Sequence, residues 1–257
     1  MQKIIIAAML FLGAQLHAQD WQLVWSDEFN GDKPDTACWN IEVNGRGGGN
    51  NELQYYTDRD KNLRVENGVL VIEAHKEAYL EKEYTSARMN TRGKIFFKFG
   101  KITARMKLPY GQGIWPAFWM LGENIGQERW PRCGEIDIME MIGGKEGDKT
   151  THSTIHWYGS NGHKYQGSSY TLESGKLSDN YHEYSVVWNE KELTFFIDSV
   201  QVFQIDITAT EFDAFRKNFH ILLNLAVGGN WPGNPDETTI FPQQLQVDYV
   251  RVYQPAE

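Results

Sequence analysis

Three carboxylates crowd one short, otherwise apolar stretch, Gly134-Glu135-Ile136-Asp137-Ile138-Met139-Glu140. Acids are disfavoured in strands and are rarely buried without a partner, so the cluster calls for a chemical use. In a regular strand Glu135 and Asp137 share one face, and Glu140 points to the other. One extra residue, a β-bulge at Ile138 or Met139, returns Glu140 to the first face, and bulges often re-aim side chains beside active sites. The spacing predicts that bulge. With about 3.3 Å per step, the Cα atoms of Glu135 and Glu140 then lie about 13 Å apart. Side chains leaning together bring their carboxyls to about 5–6 Å, the separation at which one attacks a sugar carbon and the other handles the proton. Reach alone also admits a wider, inverting pair. Asp137 between them is expected to hydrogen-bond Glu135, coupling their titrations. Glu140 is expected to hold its proton for the leaving oxygen. The plain alternative is a solvated acidic strand face.

Strand signals dominate the elements that must position these groups. Leu63 to Glu66 and Val69 to Ala74 flank Asn67-Gly68, a strong hairpin signal. Further strands are predicted over Lys94 to Lys107, Ile114 to Leu121, Glu135 to Met141, Ser153 to Tyr158, His182 to Trp188, Glu192 to Ile197, Val200 to Ile205, His220 to Val227 and Leu245 to Tyr253. Only Thr210 to Arg216 reads as helical. Short strands divided by Gly, Asn and Pro turns indicate one all-β domain, a two-sheet sandwich or jelly roll.

Lys3, the apolar run Ile4 to Leu12 and Leu16-His17-Ala18 have the order of an export signal, cleaved near Ala18. Residues 1–18 are therefore expected to be removed and 19–257 to form the domain, secreted or periplasmic. The apolar run is too short to span a bilayer. Cys38 and Cys133 allow a bridge in an exported chain, and two separate buried thiols fit equally well. The formal net charge of −9 and the lack of any Lys/Arg run argue against nucleic acid and favour a neutral partner. Nine Trp among 13% aromatic residues suit either sugar stacking or a sandwich core.

With these segments together, the chain resembles glycoside hydrolase family 16, its laminarinase (endo-1,3-β-glucanase) branch in particular. The resemblance rests on Gly134 to Glu140, Ile114 to Leu121, Asn50-Asn51-Glu52-Leu53-Gln54-Tyr55-Tyr56, Asn224 to Gly233 and Val247 to Tyr253. It implies a concanavalin-like β-jelly roll of two antiparallel sheets with an open cleft, working as a monomer. It also implies retaining endo-cleavage of β-1,3-glucan, extending to mixed-linkage glucan, with no cofactor needed for catalysis. Carried over by position, Glu135 matches the nucleophile, Asp137 the assisting acid and Glu140 the acid/base. Asn51, Arg88, Trp115, Trp119, Trp130, His156 and Trp231 match substrate-binding positions. A structural calcium in such folds would take Asp248 as carboxylate ligand, with Glu28 and Gly68 as carbonyl donors.

Two segments depart from the family pattern. Arg46-Gly47-Gly48-Gly49-Asn50 lacks an expected Trp, which removes a distal platform or makes room for a branch. Asp198-Ser199 replaces an Asp-Gly turn. Competing readings are a family member acting on agar or carrageenan, which the scarcity of basic residues disfavours, and a non-catalytic glucan-binding lectin, which would be expected to lack Glu135 or Glu140.

Overall fold

The computed structural model describes residues 20–256, so the export-signal segment lies outside the described residues. Two sheets, of seven and ten strands, face each other. The seven-stranded sheet runs in the order Gly162–Thr171, Thr150–Gly159, Glu135–Glu140, Ile114–Gly122, Phe219–Val227, Arg88–Asn90, Asn40–Ile41. The acid-bearing strand thus lies between the Ile114–Gly122 and Thr150–Gly159 strands, where its backbone is paired on both sides.

The apolar positions of both sheets meet in one core. Ile136, Ile138, Met139, Phe118, Met120, Ile221 and Leu223 pack from the seven-stranded sheet, and Ile102, Ala104, Met106, Val247, Val250 and Val252 from the other. All are essentially inaccessible, and each large aliphatic contributes about 1.5–3 kcal/mol on burial. The same alternation turns Glu135, Asp137, Trp115 and Trp119 outward into a cleft.

Several elements differ from the sequence reading. Strand structure in the Lys94 to Lys107 segment begins only at Gly100, and Thr210–Arg216 is a 3-10 helix. Gly162–Thr171 is an unexpected strand, fully paired to Thr150–Gly159. It escaped notice because it is an edge strand with few apolar residues, so hydrophobic alternation is missing. The Asn67-Gly68 turn forms as expected, with φ of 54° and 75°. The sheets are antiparallel except where Gln54–Tyr56 runs parallel to Lys82–Ser86. The start of Gln54–Tyr56 is tied to the seven-stranded sheet: the Leu53 amide donates to the Val227 carbonyl, and Gln54 Oε1 accepts from the Val227 amide.

Candidate active site

The predicted bulge is present, at Ile138. Asp137 lies opposite Trp119, but Met139 lies opposite Phe118, so Ile138 is the extra residue against that strand. On the other side Asp137 pairs with Thr154 and Glu140 with His152, again one residue in excess. The Ser153 hydroxyl donates to the Ile138 carbonyl at 2.9 Å, satisfying a buried acceptor at the irregularity. Glu140 therefore lines the same cleft as Glu135 and Asp137. Gly134 sets the entry to the strand: its φ is 80°, and a Cβ there would stand 2.9 Å from both Ala214 and Phe219.

Burial dominates the electrostatics. It pushes Glu135 up to about 8, with the charge of Asp137 adding to it and His156, Trp130 and Arg88 opposing. Asp137 is likewise pushed up to about 8 by burial, against a hydrogen bond shared with Glu135. Glu140 is raised well above the usual carboxylate range by burial and then by both acidic neighbours. Three crowded carboxyls cannot all ionise, so the cluster retains protons near neutrality. The Trp115 indole donates to Glu140 Oε1 at 3.0 Å. His156 Nε2 lies 3.2 Å from Asp137 Oδ2 and 3.9 Å from Glu135 Oε1.

The cleft encloses about 750 Å³ and is flanked by aromatic groups at both ends. At the Glu140 end, Trp231 packs edge-on against Trp115, with centroids 5.6 Å apart, and against His152 at 4.9 Å. At the Glu135 end stand Trp130, His156, His163 and Tyr165. Trp130, which could equally have been a packing residue, is 46% exposed and open to the cleft. Trp119 lies between them, its indole donating to Asn224 Oδ1 at 2.8 Å and its ring covered by the Arg88 guanidinium at 4.9 Å. Arg88 itself is paired with Glu42 at 3.0 Å, so it acts partly as a support for Trp119.

Of the expected binding residues, Arg88, Trp115, Trp119, Trp130, His156 and Trp231 line the cleft, and Asn51 does not. Asn51 instead donates to Asn230 Oδ1 at 3.0 Å, joining two loops, while its neighbours Asn50 and Glu52 reach the cleft. The sequence reading missed Glu52, Asn224, His163 and Tyr165. His163 and Tyr165 alternate on one face of the overlooked edge strand, and that period of two was their available signal.

The model for glycosyl hydrolases family 16 matches residues 28–251. The chain belongs to that family. The catalytic domain of an endo-1,3-beta-glucanase (laminarinase) from Thermotoga petrophila RKU-1 is 45% identical, with a TM-score of 0.85, covering 93% of this chain and 100% of that one. A beta-glucanase from Rhodothermus marinus is 42% identical over 92% of this chain and 86% of its own length. The clotting factor G alpha subunit of Tachypleus tridentatus is 43% identical over 93% of this chain, which spans only 35% of that protein.

Away from the cleft, this family 16 protein brings the expected calcium ligands to neighbouring positions on the ten-stranded sheet. Asp27 pairs with Val250 and Leu70 with Val247, so Glu28 and Gly68 border Asp248 at the irregularity between Val247 and Tyr249. Oxygen donors of this kind suit a hard cation. The carboxylate of Asp248 is, however, 2.6 Å from Arg105, and that of Glu28 is held by Arg251 at 2.8 Å, so a cation would compete with Arg105. Cys38 and Cys133 are separate free thiols. No helix among the described residues is long and apolar enough to cross a membrane.

Proposed function

We propose that this family 16 protein is a retaining endo-glycoside hydrolase that cleaves β-1,3-glucan and accepts mixed-linkage β-1,3-1,4-glucan. The bulge at Ile138 carries the reading, because it turns Glu140 into the cleft that Glu135 occupies. Glu135, as carboxylate, attacks the anomeric carbon. Glu140, protonated by its burial, gives its proton to the departing glycosidic oxygen. Trp115 engages Oε1 of Glu140, which leaves the other oxygen for that transfer. In the second half, Glu140 takes a proton from water as it attacks the glycosyl ester on Glu135. Asp137 and His156 beside Glu135 offset the charge lost and regained there.

The aromatic groups at both ends support binding within a chain, hence endo-cleavage, since each presents a face to the apolar side of a sugar ring. Both acid groups reaching the cleft supports a hydrolase over a lectin. Replacing Glu135 with Gln is expected to abolish release of reducing ends from laminarin while oligosaccharide binding persists; unchanged turnover would overturn the nucleophile assignment. Proton NMR of the first product should show the β-anomer, and an initial α-anomer would refute retention. Product profiles on laminarin and barley β-glucan establish linkage preference.

The same reading takes the protein as an exported monomer, tested by sequencing the N-terminus of the exported product and by light scattering. It takes Asp248, with the Glu28 and Gly68 carbonyls, as the ligands of a calcium that serves stability alone. Added Ca²⁺ should raise the Tm of the wild type and not of Asp248→Ala; equal behaviour of the two would remove the site.

A further inference from the structure

His163 lies outside the carboxylate cluster and has no part in the steps above. Its Nε2 is 2.9 Å from His156 Nδ1. The two rings are nearly parallel, 16° apart, with centroids separated by 5.1 Å. That separation and the short N···N distance describe rings meeting edge to edge through an N–H···N bond. Trp130 packs on His163 at 4.6 Å, and Tyr165 lies 5.9 Å from it, so the ring is held on two sides. On its far side His156 presents Nε2 to Asp137 and Glu135.

A neutral imidazole carries one proton, and the partner of one nitrogen decides which nitrogen holds it. If His156 faces the carboxyls with Nε2–H, its Nδ1 is an acceptor and needs a donor. His163 is the group within reach. We infer that His163 is a positioning residue: its Nε2–H donates to His156 Nδ1 and locks His156 in the tautomer whose Nε2–H points at Asp137 and Glu135. This rests on the hydrolase reading above and extends it by one residue behind the nucleophile. The Nε2–H of His156 then faces Asp137 Oδ2, 3.2 Å away and otherwise without a hydrogen-bond partner, and Glu135 Oε1, 3.9 Å away.

The surrounding charges suit a neutral donor. Burial and the adjacent His156 hold His163 below its usual value. Besides those two, the ionisable groups facing the pair are Glu135, Asp137 and Glu140 on the catalytic strand, Tyr165 on the hairpin, and Arg88 across the cleft. Arg132 is occupied over the Tyr158 ring, opposite His163 in register, and Lys164 is bound to Glu211. A plain sugar-stacking role for His163 would not require the nitrogen-to-nitrogen contact.

The test compares wild type with His163→Ala and His163→Gln, the latter keeping a donor near the Nε2 position. The residue is exposed to the cleft, so neither change disturbs the core. In the alanine variant kcat on laminarin should fall about five-fold or more with KM within about two-fold, and the acidic limb of the pH profile should move up. Glutamine should restore both. A higher KM with kcat and the acidic limb unchanged would overturn the proposal and leave a sugar platform. Independently of any turnover, long-range ¹H–¹⁵N spectra of the imidazoles should show His156 protonated at Nε2 in the wild type and a mixed tautomer in His163→Ala. Protonation of wild-type His156 at Nδ1, or an unaltered tautomer in the variant, would sink the inference even if laminarin is cut as proposed. An inactive wild type with the expected tautomers would instead sink the hydrolase reading.

Discussion

At the scale of single residues, the site trades stability for chemistry, and the trade has a sign that can be measured. Burial pushes Glu135 and Asp137 up to about 8 in the folded chain, far above an exposed carboxyl, so ionising Glu135 for attack costs stability. A carboxyl whose pKa is raised on folding binds more protons folded than unfolded. Its cost is therefore absent below about 4 and grows as pH rises toward the folded value. Glu135→Gln removes that ionisation. The variant should melt close to wild type at pH 4 and be more stable by roughly 1–3 kcal/mol at pH 8. Thermal melts across that range check it, and a gap that narrows with rising pH would contradict the electrostatic account. Trp115→Phe tests the other acid. Its indole N–H stabilises ionised Glu140, so the variant should hold the Glu140 proton to higher pH. The basic limb of kcat/KM should move upward, read from pH profiles on laminarin.

At the scale of elements, everything turns on one inserted residue. Removing Ile138 leaves Glu135-Ile136-Asp137-Met139-Glu140, in which strict alternation alone keeps all three acids on the cleft face and Ile136 and Met139 in the core, with no bulge needed. The shortened chain is therefore expected to keep hydrolysis within about 10-fold of wild type in reducing-end assays, and a loss of about 10³-fold, the size expected when a catalytic acid is removed, would show that the bulge itself sets the carboxyl separation. A milder probe is Ser153→Ala, which leaves the Ile138 carbonyl buried without its donor. It should cost about 1–2 kcal/mol in denaturant melts, with activity falling as the bulge loosens. Two normal melting curves would show that the hydroxyl is not needed to hold the kink.

At the scale of the whole molecule, an acidic surface and an acidic cleft accompany the aromatic walls. The formal net charge is −9, and the cleft's cation, Arg88, is already paired with Glu42. A neutral polymer feels little of this field, and an anionic one is repelled. Rates on laminarin should change by less than about two-fold between 50 and 500 mM salt, whereas sulfated galactans should be turned over negligibly at any salt. Strong activation by salt on a sulfated polymer would point to a different substrate.

Much of this was legible in the chain alone. Acid spacing around apolar residues required a bulge, since three carboxylates and three large apolar side chains cannot otherwise divide between a cleft and a core. The Asn67-Gly68 hairpin followed from backbone preference, and the jelly roll from short strands between turns together with the resemblance. Other features depended on contacts between distant segments. The Gly162–Thr171 strand has no hydrophobic signature, because it forms the edge of its sheet, and with it His163 and Tyr165 went unnoticed. Asn51 read as a ligand, and its contact with Asn230 on a distant loop was not legible, since a polar side chain carries no mark of the direction it faces. The state of the two cysteines was likewise left open by sequence and decided by distance in the fold. Local sequence determined which residues could alternate, turn or kink; tertiary packing decided which groups meet, because burial, proton affinity and hydrogen-bond direction belong to neighbours that the chain brings together only on folding.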